Sequence, residues 1–262
     1  MATTEAPAPT LDPSNPKILR WEDIGLTLIY DFITEDEEKV MIEAFHAQDP
    51  QKEGKRRISQ HFGYHFDYTT FGASETHLTP VPSYINNFLP RLPIQSYLPD
   101  QFTVQYYPPG SGIPPHVDTH SIAVAMQFRM SGPNDARKMR LPKRSVQAGT
   151  ASSEPAPSPM VEHSQKADEE RIPTWELVLP PRSLLLMAGA SRYGYTHAIR
   201  PRKTDVIEGK TVQRQGRYSI TMRTIRRGDE IGCDCDYPGV CDARIREEMA
   251  AQAGTDEEGS TQ

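Results

Sequence analysis

His116 and Asp118 stand one residue apart, and with a second histidine far downstream, His197, they could hold a divalent metal. Two imidazoles and one carboxylate cover one face of an octahedron. They leave three positions open, the arrangement of non-haem iron(II) sites that activate dioxygen. The H-x-D tripeptide alone says little: with 8 histidines and 35 acidic residues, roughly one H-x-[DE] match is expected by chance. The chain has two such matches, the other being His65-Phe66-Asp67. Context separates them. His116 follows the turn "YYPPGSGIPP" and so emerges at a strand end, where sites are built. His65 lies within an aromatic stretch, where a half-buried histidine and a surface aspartate are the plainer reading. His197, in "SRYGYTHAIRP", follows an apolar strand and precedes a proline-terminated turn.

Further along, "RYSITMR" carries Arg217 and Arg223. Residues an even number apart on a strand share a face. Two guanidinium groups on one face suit a dicarboxylate, since each can grip a carboxylate with two hydrogen bonds. An arginine pair on a strand is otherwise often a solvated face, and this one gains its meaning from following His116, Asp118 and His197. Cys233, Cys235 and Cys241, the chain's 3 cysteines, have C-x-C-x5-C spacing. An odd count without a secretory signal argues against a disulfide framework and suits metal ligation. The plain alternative is a set of unliganded thiols in an exposed tail.

The elements that must position these residues are mostly strands. "TEDE" pairs Thr34 with Glu37 in a capping box, so a helix is expected to about Ala47 that buries Val40, Met41, Ala44 and Phe45. "RRISQHFGYHFDYTT" reads as a strand presenting Phe62, Tyr64, Phe66 and Tyr68. Pro82 is placed for the first turn of a short helix over Ser83 to Leu89. "QFTVQYY", "AVAMQFRM" and "RYSITMRTI" read as strands, and "TWELVLPPRSLLLMAG" as a hairpin turning at Pro180-Pro181-Arg182-Ser183. Residues 1–20 read as a disordered leader, 145–171 as an irregular insertion and 243–262 as an acidic disordered tail. The sum is mainly β with N-terminal helices, a barrel or jelly roll.

Bulk properties bound the function. A length of 262 residues fits one domain with appendages, or two small domains at most. A net charge of −6 argues against nonspecific coating of nucleic acid, although "KEGKRR" and "RKMRLPKR" are candidate basic patches, or solvated charge runs. No apolar run is long enough to span a membrane, and the first 20 residues lack the features of a secretory signal.

With "QYYPPGSGIPPHVDTHS", "LLLMAGASRYGYTHAI" and "RYSITMR" together, the sequence resembles the AlkB family of iron(II)- and 2-oxoglutarate-dependent dioxygenases. "GIPPHVDTHS" and "RRISQHFGY" are most similar to the branch that hydroxylates a modified wobble uridine in tRNA. The resemblance implies a double-stranded β-helix over residues 21–242 with an N-terminal nucleotide-recognition lid. It implies iron(II) on His116, Asp118 and His197, with 2-oxoglutarate and dioxygen as cosubstrates. Arg217, assisted by Tyr107, would take the distal carboxylate of 2-oxoglutarate, with Arg223 near its other end. Gln105 falls where the family has asparagine, and Tyr195 where this branch has tryptophan. A structural zinc would be held by Cys233, Cys235, Cys241 and His120.

Arg56, Arg57, Tyr64 and Tyr68 are the candidate substrate-side residues, through phosphate contact and base stacking, or else they pack the N-terminal strand on the barrel. Oxidation of an N-methyl group would release formaldehyde, whereas oxidation of a methylene would leave an alcohol. tRNA is the expected partner, with alkylated DNA or a protein as alternatives, in the cytoplasm or nucleus. The chain carries no RNA-recognition motif, so RNA specificity would come from the lid or a protein partner.

One departure stands out. AlkB-like proteins follow the H-x-D loop with a core strand of "SLSL" character before one like "AVAMQFR", yet here Asp118 lies only ten residues from Phe128. A core strand is therefore expected to be missing, which would leave its neighbours' backbone groups unpaired at about 1–3 kcal/mol for each buried group. A faulty gene model, strands re-paired around the gap, or a degraded relative without activity would each account for it.

Overall fold

The computed structural model describes residues 8–48, 58–67, 72–94, 98–119, 122–131, 137–142, 174–207, 209–225, 233, 235–237, 241 and 243–244. Near the N-terminus run β1 (Thr10–Asp12), β2 (Asn15–Trp21), β3 (Leu26–Ile29) and the helix α1 (Glu35–Gln48). Next come β4 (Ile58–Asp67), β5 (Gly72–Thr79) and the short α2 (Ser83–Asn86). The strands that follow are β6 (Gln101–Tyr107), β7 (Ile113–His116), β8 (Ile122–Ser131) and β9 (Arg137–Pro142). They continue with β10 (Thr174–Leu179), β11 (Ser183–Met187) and, after α3 (Gly189–Tyr193), β12 (His197–Ile199). A separate hairpin of β13 (Thr204–Ile207) and β14 (Lys210–Gln213) precedes β15 (Arg217–Ile225).

Two antiparallel sheets make the body. The larger is ordered β1-β2-β3-β11-β8-β15-β6-β4-β5 and the smaller β10-β9-β12-β7. Its strands being divided between these sheets, the chain crosses from one to the other repeatedly between β6 and β15, which is the jelly-roll winding expected. Period-two alternation then gives the larger sheet two different faces. Ile58, Phe62, Phe102, Val104, Ile220 and Met222 point to one side, where they bury Met41 and Phe45 of α1 and Tyr84 and Ile85 of α2. The alternate residues, paired as Arg217 with Tyr107, Ser219 with Gln105, Thr221 with Thr103 and Arg223 with Gln101, form a polar strip on the other side.

The missing strand is not missing. β8 stands between β11 and β15, paired to both, and β9 stands between β10 and β12. The segment containing "AVAMQFRM" is β8 and is paired along both edges, so the short loop after Asp118 leaves no gap beside β11 or β15.

Other expectations need correction. Residues 10–20 are not a disordered leader: β1 and β2 extend the large sheet beyond β3. The turn at Pro180–Ser183 does not close a hairpin, because β10 belongs to the small sheet and β11 to the large one. It is a corner between sheets, with Arg182 at φ 59 and Ser183 Oγ donating to the Pro180 carbonyl at 2.6 Å. In α1 the capping box forms as read: the Thr34 amide donates to Glu37 Oε2 at 2.8 Å and the Glu37 amide to Thr34 Oγ1 at 3.2 Å. Val40, however, is 56% exposed, since the buried arc runs through Glu38, Met41 and Phe45. The second helix ends at Asn86, with Pro82 as its N-cap.

The aromatic alternation of β4 breaks at Gly63, which has φ 79 and shifts the register. Phe62 therefore joins the core under α1, while Phe66 packs with Ile225 and the half-buried Tyr64. The 145–171 insertion and the tail beyond Arg244 lie outside the described residues, as do Arg56, Arg57, Tyr68 and His120. No helix among the described residues is long and apolar enough to cross a membrane.

Candidate active site

The end of β7 is built to stop. Pro114 and Pro115 have no N–H to donate to a ladder. The register with β12 slips there, pairing Ile199 with Ile113 and His197 directly with His116. Gly112 makes the close approach possible: a Cβ at that position would lie 2.1 Å from the Ile199 carbonyl oxygen. Two histidines distant in sequence thus become cross-strand neighbours, with ring centroids 4.2 Å apart. Asp118 follows just beyond the strand, its Oδ1 3.6 Å from His116 Nε2. One ligand atom from each of His116, Asp118 and His197 lies within 4.8 Å of the others. His65 is outside this cluster and exposed, so the competing H-x-D match is set aside on geometry.

The protonation states of Asp118 and His197 suit a cation, and His116 would give up its proton to one. His116 Nδ1 donates to the Pro114 carbonyl at 2.9 Å, which leaves the Nε2 lone pair facing the cluster when the ring is neutral. Burial opposes the charged form of His116, but Asp118 and the Pro114 carbonyl outweigh it and raise its pKa. Burial, with help from the neighbouring positive charges, pushes His197 down to about 4, so it is neutral at neutral pH. Burial alone would raise the Asp118 carboxyl. Arg223, His116, His197 and Arg192 overcome it and hold the group well below the usual carboxylate range. Arg223 Nη2 donates to Asp118 Oδ1 at 3.1 Å, while Oδ2 is buried with no hydrogen-bond partner. Both ring nitrogens of His197 are likewise buried and unbonded. Buried polar atoms normally find partners, and a metal ion would supply one to Asp118 Oδ2 and to one ring nitrogen of His197. The donor set fits iron(II).

The polar strip leads away from this cluster. At its far end the Arg217 guanidinium lies 5.7 Å from the centroid of the Tyr107 ring, and the Tyr107 hydroxyl donates to Gln105 Oε1. Gln105 in turn donates through Nε2 to Ser59 Oγ at 3.2 Å. Arg217, Tyr107 and Gln105 are thus one connected group, and Arg217 is 1% exposed. At the near end Arg223 bonds the aspartate itself. A cavity of about 520 Å³ opens beside the cluster, with His116, Asp118, Arg223, Gln101, Tyr64 and Phe66 among its lining. Of the sequence-predicted substrate residues, only Tyr64 is among those described, and it is here.

A family profile described as the 2OG-Fe(II) oxygenase superfamily matches residues 38–223. The chain belongs to that superfamily. Iron(II), 2-oxoglutarate and dioxygen are accordingly its implied reagents, and the expected dioxygenase activity class is borne out. An Arabidopsis thaliana protein called alkylated DNA repair protein ALKBH8 homolog is 34% identical over 84% of this chain and 63% of its own length. A Xenopus tropicalis protein, tRNA (carboxymethyluridine(34)-5-O)-methyltransferase alkbh8, is 32% identical over 84% of this chain but only 34% of its own. Protein L905 of Acanthamoeba polyphaga mimivirus is 27% identical over 77% of this chain and 85% of its own. The first two bear out the AlkB-type resemblance, and the chain spans less than two thirds of either.

Two features of this oxygenase were not legible beforehand. Gln101 and His61 lie on the cavity wall, His61 sharing a 3.2 Å hydrogen bond between Nδ1 and Thr103 Oγ1. Counting in twos from Gln105 back along "QFTVQYY" would have put Gln101 on the same face. Arg192 stands inside "SRYGYTHAIRP", where its type and spacing alone give it no role. In the cysteine segment, one sulfur from each of Cys233, Cys235 and Cys241 lies within 4.8 Å of the others. Burial, with the adjacent Cys233 and Cys235 thiols, pushes Cys241 up to about 12. Thiols crowded in this way ionise readily only if a cation is present.

Proposed function

We propose that this dioxygenase oxidises a modified nucleobase in tRNA, with iron held by His116, Asp118 and His197. The observation that carries the reading is the cavity, which brings the aspartate and a histidine of the cluster into the same space as an aromatic and polar wall. Its volume falls in the range of about 300–1,000 Å³ usual for small-ligand sites. The tRNA methyltransferase name of the frog relative supports RNA over other substrates. Such a substrate would be met in the cytoplasm or nucleus.

Iron bound here, with 2-oxoglutarate and dioxygen, would supply an oxidant for a C–H bond: one oxygen atom enters the succinate formed with carbon dioxide from 2-oxoglutarate, and the other enters the substrate. The protein's residues do the rest. Arg217 would receive the distal carboxylate of 2-oxoglutarate, with the Tyr107 hydroxyl and Gln105 beside it. Arg223 keeps Asp118 ionised and oriented. Tyr64 would stack on the base, while Arg56 and Arg57, just ahead of β4, and Tyr68, just after it, would contact the RNA. A structural zinc on Cys233, Cys235, Cys241 and His120 would close a tetrahedral site; zinc–sulfur bonds of about 2.3 Å put sulfurs about 3.8 Å apart, compatible with the cluster.

The test is succinate release from 2-oxoglutarate by purified protein with iron(II) and ascorbate, with and without tRNA carrying its modifications, followed by nucleoside mass spectrometry. Modified tRNA should stimulate release, and one nucleoside should gain an oxygen or lose a methyl group. Asp118→Ala should abolish both. No stimulated release together with no iron binding would overturn the reading in favour of a noncatalytic binding protein. Stimulation by alkylated DNA or a peptide but not by tRNA would overturn the choice of substrate.

A further inference from the structure

Asp118 has no strand to hold it. β7 ends at His116, and residues 117–119 run on without a ladder. Arg223 holds the Asp118 carboxylate, but the side chain that reaches the backbone carbonyls here is Arg192, from α3, 74 residues away in sequence and five before His197. Its Nη1 donates to the Asp118 carbonyl at 3.1 Å and its Nη2 to the Thr119 carbonyl at 2.6 Å. The guanidinium lies 5.0 Å from the centroid of the Tyr193 ring, and the residue is 1% exposed.

We infer that Arg192 is a positioning residue for the iron site, fastening the loop that carries Asp118 to the turn that delivers His197. The inference rests on the assignment of His116, Asp118 and His197 as ligands. A facial site requires ligands from two chain segments to hold a fixed separation, and backbone pairing fixes only His116 against His197. Arg192 provides the third tie. A guanidinium is suited to it because its rigid fork can serve two consecutive carbonyls at once, whereas a lysine ammonium is a single point donor on a flexible stem.

The test is an anaerobic titration of the full-length protein with iron(II) at saturating 2-oxoglutarate, following the visible charge-transfer band of the chelated metal. Wild type, Arg192→Lys and Arg192→Met are compared, with Asp118→Ala to show that the band reports this site. Thermal melting of the metal-free proteins records whether each variant is folded. The expected result is an iron affinity about tenfold or more weaker in Arg192→Met, as found when groups that orient metal ligands are removed. Arg192→Lys should fall between, with a displaced band and a metal-free melting curve close to wild type. Wild-type affinity and band in the folded variants would overturn the inference. If Arg192→Met does not fold, Arg192→Lys decides by the same criterion. A wild type with no band would overturn the ligand assignment and the inference together, whereas a wild-type band with unchanged variants overturns the inference alone.

Discussion

Gln101 and Arg223 face each other across β6 and β15, and each keeps one buried polar atom without a partner, Oε1 and Nε respectively. Both residues line the cavity, where an acceptor and a donor could meet a base edge that presents N–H and C=O groups. Arg223 also bonds Asp118 through Nη2, so one side chain serves both the metal side and the cavity side of the site. Replacing Gln101 by leucine keeps the volume and removes the amide. If a base edge docks there, losing its hydrogen bonds should cost about 1–3 kcal/mol, seen as a KM for modified tRNA raised roughly tenfold with a smaller change in kcat. Initial rates of succinate release at varied tRNA concentration measure the split. An unchanged KM would remove Gln101 from substrate recognition.

At the scale of elements, what local chemistry dictates is what the sequence made legible. The capping box of α1 depends only on Thr34 and Glu37, and it forms as read; Thr34→Ala should destabilise the protein by about 1 kcal/mol in urea unfolding. The strands carrying Gln105, Tyr107, Arg217 and Arg223 follow from alternation alone. What escaped is what long-range pairing decides. The place of β8 between β11 and β15 depends on partners from two distant parts of the chain, and the corner at Arg182 depends on which sheet β11 joins. The β13–β14 hairpin is another such case. Arg214, just after it, is fixed by Asp205 through its Nε and Nη2, and its Nη1 donates to the Arg200 carbonyl at 2.6 Å. Arg200 directly follows β12, so the hairpin secures the strand that begins with His197. Both members of the ion pair are almost wholly buried. Removing one partner leaves the other charge uncompensated, so Asp205→Ala should cost about 3–5 kcal/mol in the same assay.

Across the whole molecule, the cysteine segment returns to the iron side of the fold. Tyr237 sits against Gly194, where a Cβ would come within 2.3 Å of its ring, and Gly194 lies between Arg192 and His197. Arg244 Nε donates to the Cys233 carbonyl at 2.9 Å, folding the segment back on itself, with Cys241 and Ala243 buried. A metal on its thiolates would add to these contacts in ordering the segment. Cys235→Ala should therefore lose about one zinc per chain by metal analysis and lower the melting temperature. With Tyr237 released from Gly194, it should also weaken iron binding in the charge-transfer titration, by less than Arg192→Met because the two carbonyl bonds remain. Unchanged zinc content would rule out the site. Zinc lost with iron affinity unchanged would mean that the segment is anchored beside the iron loop without bracing it.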